Sequence, residues 1–337
     1  MNKNKNYYFK ILLHLLASTI FFSCTKNANI LTNQNISVVT WNVQTFFDTT
    51  KNGTEYSEFQ KKENWTEEKY TQRIQRLCEV IKQLNADVYV FQEIENEAVL
   101  YDISNFLADK SWSSKRWAYS CFSKPEDSAI GIGILSKYEL SNFLAHDMDI
   151  QSECTEQPSS RYILQVALFF SEQPLYIFAN HWKSKSGGKK ETELWRNWQE
   201  NILTERLHKL ISDSENPNIL ICGDFNRDIN DFKQSKTNDS SIVFQSDNLE
   251  TPQKIILDSP WLDKRFASKN QTGSYYYNES LEKIDHFFTY GQITIDNFEV
   301  CAYGPWVKED LTPFSYNIFT SQGYSDHLPL MCKIKLN

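Results

Sequence analysis

Ile219-Leu220-Ile221-Cys222-Gly223-Asp224-Phe225-Asn226 is the stretch on which the reading of this chain turns: an apolar run, a glycine, then a carboxylate and a carboxamide. A short run that is apolar on both faces reads as a strand of a buried sheet. Polar residues directly after it stand at the strand's end, where side chains from neighbouring strands converge on one rim. The arrangement recurs. Asn42 follows Val38-Val39-Thr40-Trp41, Glu93 follows Val88-Tyr89-Val90-Phe91-Gln92, and His181 follows Tyr176-Ile177-Phe178-Ala179-Asn180. Further strand-like runs are Ile36 to Trp41, Ile130 to Leu135, Tyr162 to Phe170, Ile284 to Thr289 and Leu328 to Ile334.

Between the first two runs, Tyr70, Ile74, Leu77, Ile81 and Leu84 keep helical spacing, and Asn64 with Glu67 predicts a capping box. A second helix is predicted over about Glu191 to Ile211, striped by Leu203, Leu207 and Leu210 and ended by Asn216-Pro217. Strands mixed with amphipathic helices define an α/β body. Residues 230–255 and 305–324 read as long loops, the places where substrate choice often resides.

The 337 residues are enough for one large domain, and no internal repeat or low-complexity linker divides them. Met1 to Lys10 carries three lysines and precedes the apolar run Ile11 to Phe22, which ends at Ser23-Cys24. This is the pattern of a signal peptide over 1–23, too short for a permanent membrane span. Phe-Phe-Ser-Cys is similar to a bacterial lipobox, which makes Cys24 a candidate for lipidation and membrane anchoring. Residues 24–35 then read as a polar tether and 36–337 as the folded domain. Loss of residues 1–23 removes three lysines and takes the formal charge from −8 to −11, which excludes a generic basic nucleic-acid binder. No two cysteines stand in CxxC spacing, so a zinc site is not indicated. Cys78, Cys222 and Cys332 fall in apolar patterns that suit buried free thiols.

Asn, Glu, Asp and His at strand ends, with no serine or cysteine nucleophile in a recognisable setting, suit hard divalent cations and proton transfer. That combination points to hydrolysis of a phosphate ester, where negative oxygens must be neutralised. Singly, each residue has an ordinary reading as a turn or a solvated strand end. The ordered set carries the inference.

Five blocks in order resemble the endonuclease/exonuclease/phosphatase superfamily: Thr40-Trp41-Asn42-Val43, Gln92-Glu93, Asn180-His181-Trp182-Lys183-Ser184, Gly223-Asp224-Phe225-Asn226 and Ser325-Asp326-His327-Leu328-Pro329, with Lys283-Ile284-Asp285-His286-Phe287 between the last two. The resemblance implies a DNase I-like four-layer α/β sandwich of two packed mixed sheets flanked by helices. It implies Glu93 as the principal ligand of Mg²⁺, with Mn²⁺ or Ca²⁺ as alternatives, helped by Asn42 and Asp326. Asp224 and Asn226 would orient the attacking water or hold a second metal. His181 and His327 would share the acid, base and phosphate-stabilising work, with Asp285 orienting His327. Arg161 resembles a phosphate-contacting arginine of the DNase I branch. His286 is expected on the opposite face of its strand from Asp285. Gln44 stands where abasic-site endonucleases carry a carboxylate, which weakens a repair reading.

Four lysines follow His181 in Asn180-His181-Trp182-Lys183-Ser184-Lys185-Ser186-Gly187-Gly188-Lys189-Lys190. The block is similar to one in secreted bacterial nucleases of this superfamily, as are Arg196 and Gln199. Lys183 and Lys185 are therefore candidate contacts to flanking phosphates. The resulting expectation is an exported, monomeric nuclease acting on DNA or RNA. A sphingomyelinase or other phospholipid phosphodiesterase is the enzymatic alternative, with Tyr275-Tyr276-Tyr277 and Trp306 as candidate lipid contacts, a cluster that packing or base stacking fits equally well. A surface-binding protein that kept the fold and lost the chemistry is the non-enzymatic one.

Overall fold

A computed structural model of the chain describes residues 35–108, 117–148, 161–171, 173–246, 253–267 and 273–337. The predicted signal peptide, Cys24, nearly all of the tether and Cys154 lie outside the described residues. From Asn35 onward the chain builds two large mixed sheets. The first has the strand order β14-β15-β1-β2-β4-β3, formed by β1 (Asn35–Phe46), β2 (Val88–Ile94), β3 (Tyr119–Ser123), β4 (Gly131–Ser136), β14 (Ile293–Val300) and β15 (Leu330–Leu336). The second has the order β5-β6-β7-β8-β13-β10-β9, formed by β5 (Leu140–His146), β6 (Ile163–Leu168), β7 (Leu175–His181), β8 (Asn218–Asp224), β9 (Ser241–Ser246), β10 (Gln253–Asp258) and β13 (Asp285–Tyr290). The hairpin β11 (Tyr275–Tyr277) with β12 (Ser280–Glu282) stands apart from both. β1 and β2 pack against β8 and β7 across the sandwich. Strands β4, β6 and β8 are buried at every position, which is why their sequences are apolar without alternation.

Each sheet contains one parallel pair joined through a helix, and these pairs position the site. β1 and β2 are parallel and connected through the short helix α1 (Ser57–Gln60) and α2 (Glu67–Leu84); β7 and β8 are parallel and connected through α4 (Glu193–Asp213). All other neighbouring strands run antiparallel. The predicted stripe of α2 is buried as expected, but its cap is Thr66 rather than Asn64. Thr66 Oγ1 accepts from the Lys69 amide, while the Asn64 side chain turns back to the carbonyl of Glu58. Trp65 then packs edge-on to Tyr70, the contact of a hydrophobic staple between the residue before the cap and the helix's second turn.

Two further departures have clear causes. Residues 230–255, expected as loop, contain β9 and the first half of β10; in these strands Ile242, Phe244, Ile255 and Leu257 alternate with more exposed residues and are buried under α4. The alternation is blurred in sequence because the outward-facing Val243 and Ile256 are apolar too. The helix α3 (Glu97–Leu107), capped by Asn96, and the short α5 (Lys264–Ala267) carried no predicted signal. Residues 305–324 form a long loop, as expected. Trp306, however, is buried and donates to the carbonyl of Cys301, so it cannot contact lipid. Cys78, Cys121, Cys222, Cys301 and Cys332 are unpaired, and all but Cys121 are buried.

Gly223 must be glycine. Its φ is +135°, and a Cβ would lie 2.0 Å from the carbonyl oxygen of Asn180 on β7. That close approach brings the ends of β7 and β8 together just before His181 and Asp224.

Candidate active site

Six strand ends deliver the side chains. Asn42 lies near the end of β1 and Glu93 near the end of β2, while His181 and Asp224 are the last residues of β7 and β8 and are register partners. Asp285 opens β13 directly opposite Asp224, and His327 closely precedes β15, which is antiparallel to β1. Carboxyl ends of parallel strands and amino ends of their antiparallel neighbours thus meet at one rim.

Backbone irregularity aims the β1–β2 half. The ladder slips between Asn42 and Phe46 on β1, and between Gln92 and Ile94 on β2. Gln44, Thr45 and Glu93 have φ values of +53°, +49° and +67°. Positive φ on a non-glycine residue is strain that persists only where the surroundings enforce it. Here the Thr45 amide donates to Glu93 Oε2 at 2.6 Å, and Asn42 Nδ2 donates to Glu93 Oε1 and to Asp224 Oδ2, both at 3.1 Å. Asn42 Oδ1 accepts from the Gln44 amide at 3.0 Å.

Across the rim, His327 Nδ1 and Asp285 Oδ2 are 2.8 Å apart, and Ser274 Oγ donates to the same carboxylate oxygen at 2.5 Å. His327 Nε2 lies 3.9 Å from Asp224 Oδ2; His181 Nε2 lies 3.6 Å from that oxygen and 3.9 Å from Glu93 Oε1. Asp224 Oδ1 accepts from the Asn226 amide at 2.8 Å, and Asn226 Nδ2 donates to the carbonyl of Trp182 at 3.2 Å. Ser325 Oγ donates to the carbonyl of Asn42 at 2.6 Å, accepts from the His327 amide and is 3.5 Å from Asp326 Oδ1.

Burial sets the protonation tendencies. For Asp224, burial pushes the carboxyl up to about 7, against the pull of His327 and with a smaller push from Asp285. Burial likewise raises Asp326, opposed by His327 and assisted by Glu93. His181 is held well below the ordinary imidazole value by burial, then by Arg161 and His327, so its ring is neutral near pH 7. For His327, burial acts against the charged form, but Asp285, Asp224 and Asp326 outweigh it and lift the ring to about 10.

Ligand atoms of Asp224, Asp285 and His327 lie within 4.8 Å of one another. His327 Nδ1 and Asp285 already satisfy each other there, so this trio is a proton-holding pair beside a carboxylate rather than a cage. The donors that fit a hard cation are the oxygens of Asn42, Glu93, Asp224 and Asp326. Among the described residues no lysine or arginine forms an ion pair with Glu93, Asp224 or Asp326. Carboxylates that outnumber the one cationic ring beside them, His327, and have no lysine or arginine partner match a site that binds a divalent ion.

Several supporting residues had no sequence signal. Arg73 on α2 is 2% exposed and donates to the carbonyls of Val43, Thr45 and Gln44, the strained segment that holds Glu93. Its guanidinium lies over the rings of Tyr316 and Phe46, and burial pulls it down to about 9. The Gln44 side chain bonds Ser315 and both backbone groups of Tyr316, so it fastens the 305–324 loop and does not face the carboxylates. Tyr275 lies against the His327 ring with centroids 4.5 Å apart.

Arg161 reaches the carbonyl of Trp182 at 3.4 Å and acts electrostatically on His181 and Lys183. Lys183 is half-buried, and its amide donates to Gln199 Oε1 at 2.7 Å. Lys185 is in an ion pair with Glu282 at 2.5 Å, and Lys189 in one with Asp231 at 2.7 Å. His286 faces away from the rim, bonded to the carbonyl of Arg227 and enclosed by Phe225, Phe232 and Phe288, as strand alternation predicts.

Two mixed sheets with flanking helices, meeting at a rim of carboxylates and imidazoles, define a DNase I-like protein. The family model described as "Endonuclease/Exonuclease/phosphatase family" matches residues 37–293, and the chain belongs to that family. Among solved structures, truncated TDP2 of Caenorhabditis elegans superposes with a TM-score of 0.57 at 14% identity, covering 90% of this chain and 98% of that one. The human nocturnin catalytic domain with a bound sulfate gives 0.54 at 15%, covering 90% and 98%. D. rerio TDP2 complexed with single-strand DNA product gives 0.51 at 15%, covering 89% and 99%. At such identities the likeness is one of fold. No match was found among curated protein sequences.

Replacing Arg73 with Met will leave the carbonyls of Val43, Gln44 and Thr45 without a buried donor. Urea denaturation should register a loss of about 3 kcal/mol or more, and an unchanged midpoint would show that the segment holds itself.

Proposed function

We propose that the chain is a divalent-metal-dependent phosphodiesterase that hydrolyses nucleic acid, DNA foremost, exported and held at a bacterial membrane through Cys24. It acts as a monomer, with Mg²⁺ as the cation, or Mn²⁺ or Ca²⁺ in its place. The observation that carries the reading is the His327–Asp285 pair facing Asp224 and His181, with the oxygen donors Asn42 and Glu93 alongside. A cation held by Glu93 and Asn42, with Asp326 or Asp224, would supply positive charge to the phosphate oxygens and lower the pKa of a bound water. Asp224, raised toward neutrality, accepts a proton from a water that Asn226 helps orient. His327, cationic through Asp285, donates the proton on Nε2 to the leaving oxygen as the phosphorus–oxygen bond breaks. His181, neutral, hydrogen-bonds a non-bridging phosphate oxygen. Arg161 and Lys183 contact the substrate phosphates. Nucleic acid as substrate is supported by Arg161 and Lys183 beside His181 and by TDP2 having been crystallised with a DNA product.

Incubation of the full chain with supercoiled plasmid and Mg²⁺ or Mn²⁺ should give nicking that EDTA abolishes and that His181→Ala and His327→Ala slow by about 10²-fold or more. Plasmid left intact, with sphingomyelin hydrolysed instead, would overturn the nuclease reading. In Asp285→Asn the carboxylate that keeps His327 protonated is lost, so the ring deprotonates at lower pH. The alkaline limb of the rate profile should move down; a limb that stays in place excludes His327 as the cationic group. Cys24→Ala should release the protein from the membrane fraction and remove label from a fed clickable fatty acid, and labelling that persists rules out this anchor.

A further inference from the structure

Beside the rim lies a cleft of 680 Å³, within the range of small-molecule sites, that reaches the candidate active site at Asn226. One wall is the loop from Ser184 to Lys189, and the other is the hairpin β11–β12. Both walls are held from behind. Arg196, fully buried on α4, donates to the carbonyl of Lys183 at 3.1 Å and of Lys189 at 2.6 Å, fastening the loop at its two ends. The hairpin is fixed by the bridge between Tyr275 and His327, by the Leu328 amide on the Ser274 carbonyl at 2.7 Å and by Ser274 Oγ on Asp285. The Lys185–Glu282 ion pair ties one wall to the other.

What the cleft presents is aromatic rather than cationic. The rings of His327, Tyr275 and Tyr277 form a ladder leading outward from the rim: 4.5 Å between the first two centroids and 6.1 Å between the two tyrosines, whose planes differ by only 10°. Tyr277, the far member of the ladder, is 54% exposed. Lys185, expected from sequence to bind phosphate, is already neutralised by Glu282, and Lys189 by Asp231. Flat, parallel, half-exposed rings beside a phosphate-processing centre suit a planar heterocycle, since every nucleobase offers a π-face to stack on.

We propose that this cleft is a nucleobase subsite of the nuclease proposed above: the base flanking the cleaved phosphate stacks on Tyr277, and Tyr275 sets its distance from His327. The preformed walls spare the ordering cost of binding. The subsite favours unpaired strands, because a base inside a duplex has no free face to offer.

The test is fluorescence anisotropy of a labelled short single-stranded oligodeoxynucleotide with the full chain in EDTA and low salt, where no cleavage occurs, beside an abasic strand of equal length and charge. Wild type should bind the base-bearing strand more tightly. Tyr277→Ala should weaken that binding roughly tenfold, the size of one base–aromatic stack, and leave the abasic strand unaffected, while Tyr277→Phe should retain the wild-type preference. Equal binding of the two strands by wild type, absence of binding, or an equal loss on both strands in Tyr277→Ala would overturn the subsite. Base-dependent binding without cleavage when Mg²⁺ or Mn²⁺ is restored would overturn the nuclease reading and leave the subsite standing.

Discussion

A parallel pair of strands sends both carboxyl ends to the same edge of its sheet, and the connection between them must travel back through a crossover. This molecule contains that constraint twice, in β1–α2–β2 and β7–α4–β8, once in each sheet. Packing β1 and β2 against β8 and β7 lays the two edges side by side, so Asn42 and Glu93 face His181 and Asp224. The antiparallel neighbours β13 and β15 run the other way and therefore begin where the parallel strands end. That is why Asp285 and His327 stand at or before the beginnings of their strands while the other four stand at or near the ends of theirs.

The rim is costly to the fold, and its cost is met locally. Carboxylates gathered in a buried place disfavour their own charge. The raised tendencies of Asp224 and Asp326 express this. Left-handed residues at Gln44, Thr45 and Glu93 add backbone strain. Arg73 offsets the strain, binding the carbonyls of that segment from behind. The other half of the rim relies on close approach, with Gly223 against Asn180.

Much of this was legible in the chain. The principal strands, the apolar stripe of α2 and the membership of Asn42, Glu93, His181 and Asp224 in one rim followed from where polar residues interrupt apolar runs. Asp285 and His327, at the beginnings of their strands, needed the family resemblance, because a polar residue there is indistinguishable from the edge of a loop. β9 and β10 escaped because the outward-facing Val243 and Ile256 are apolar too and blur the alternation, and the cap of α2 shifted to Thr66 because Trp65 takes the staple position. Arg73 and Ser274 left no trace, since a helical arginine or a loop serine carries no mark of the partner it will meet.

The lysine block shows the boundary between the two kinds of information. By itself the sequence determined that four lysines follow His181 and that Arg196 and Gln199 come a short way downstream, because order along the chain is its whole content. Only the tertiary structure decided that Lys185 and Lys189 are paired with Glu282 and Asp231, and that Arg196 fastens the loop. Charge is a property of the residue, but its availability depends on which opposite charge folding brings within a few ångströms. For residues such as Lys185 and Glu282, far apart along the chain, only the packing of the hairpin and the loop on one rim can set that distance.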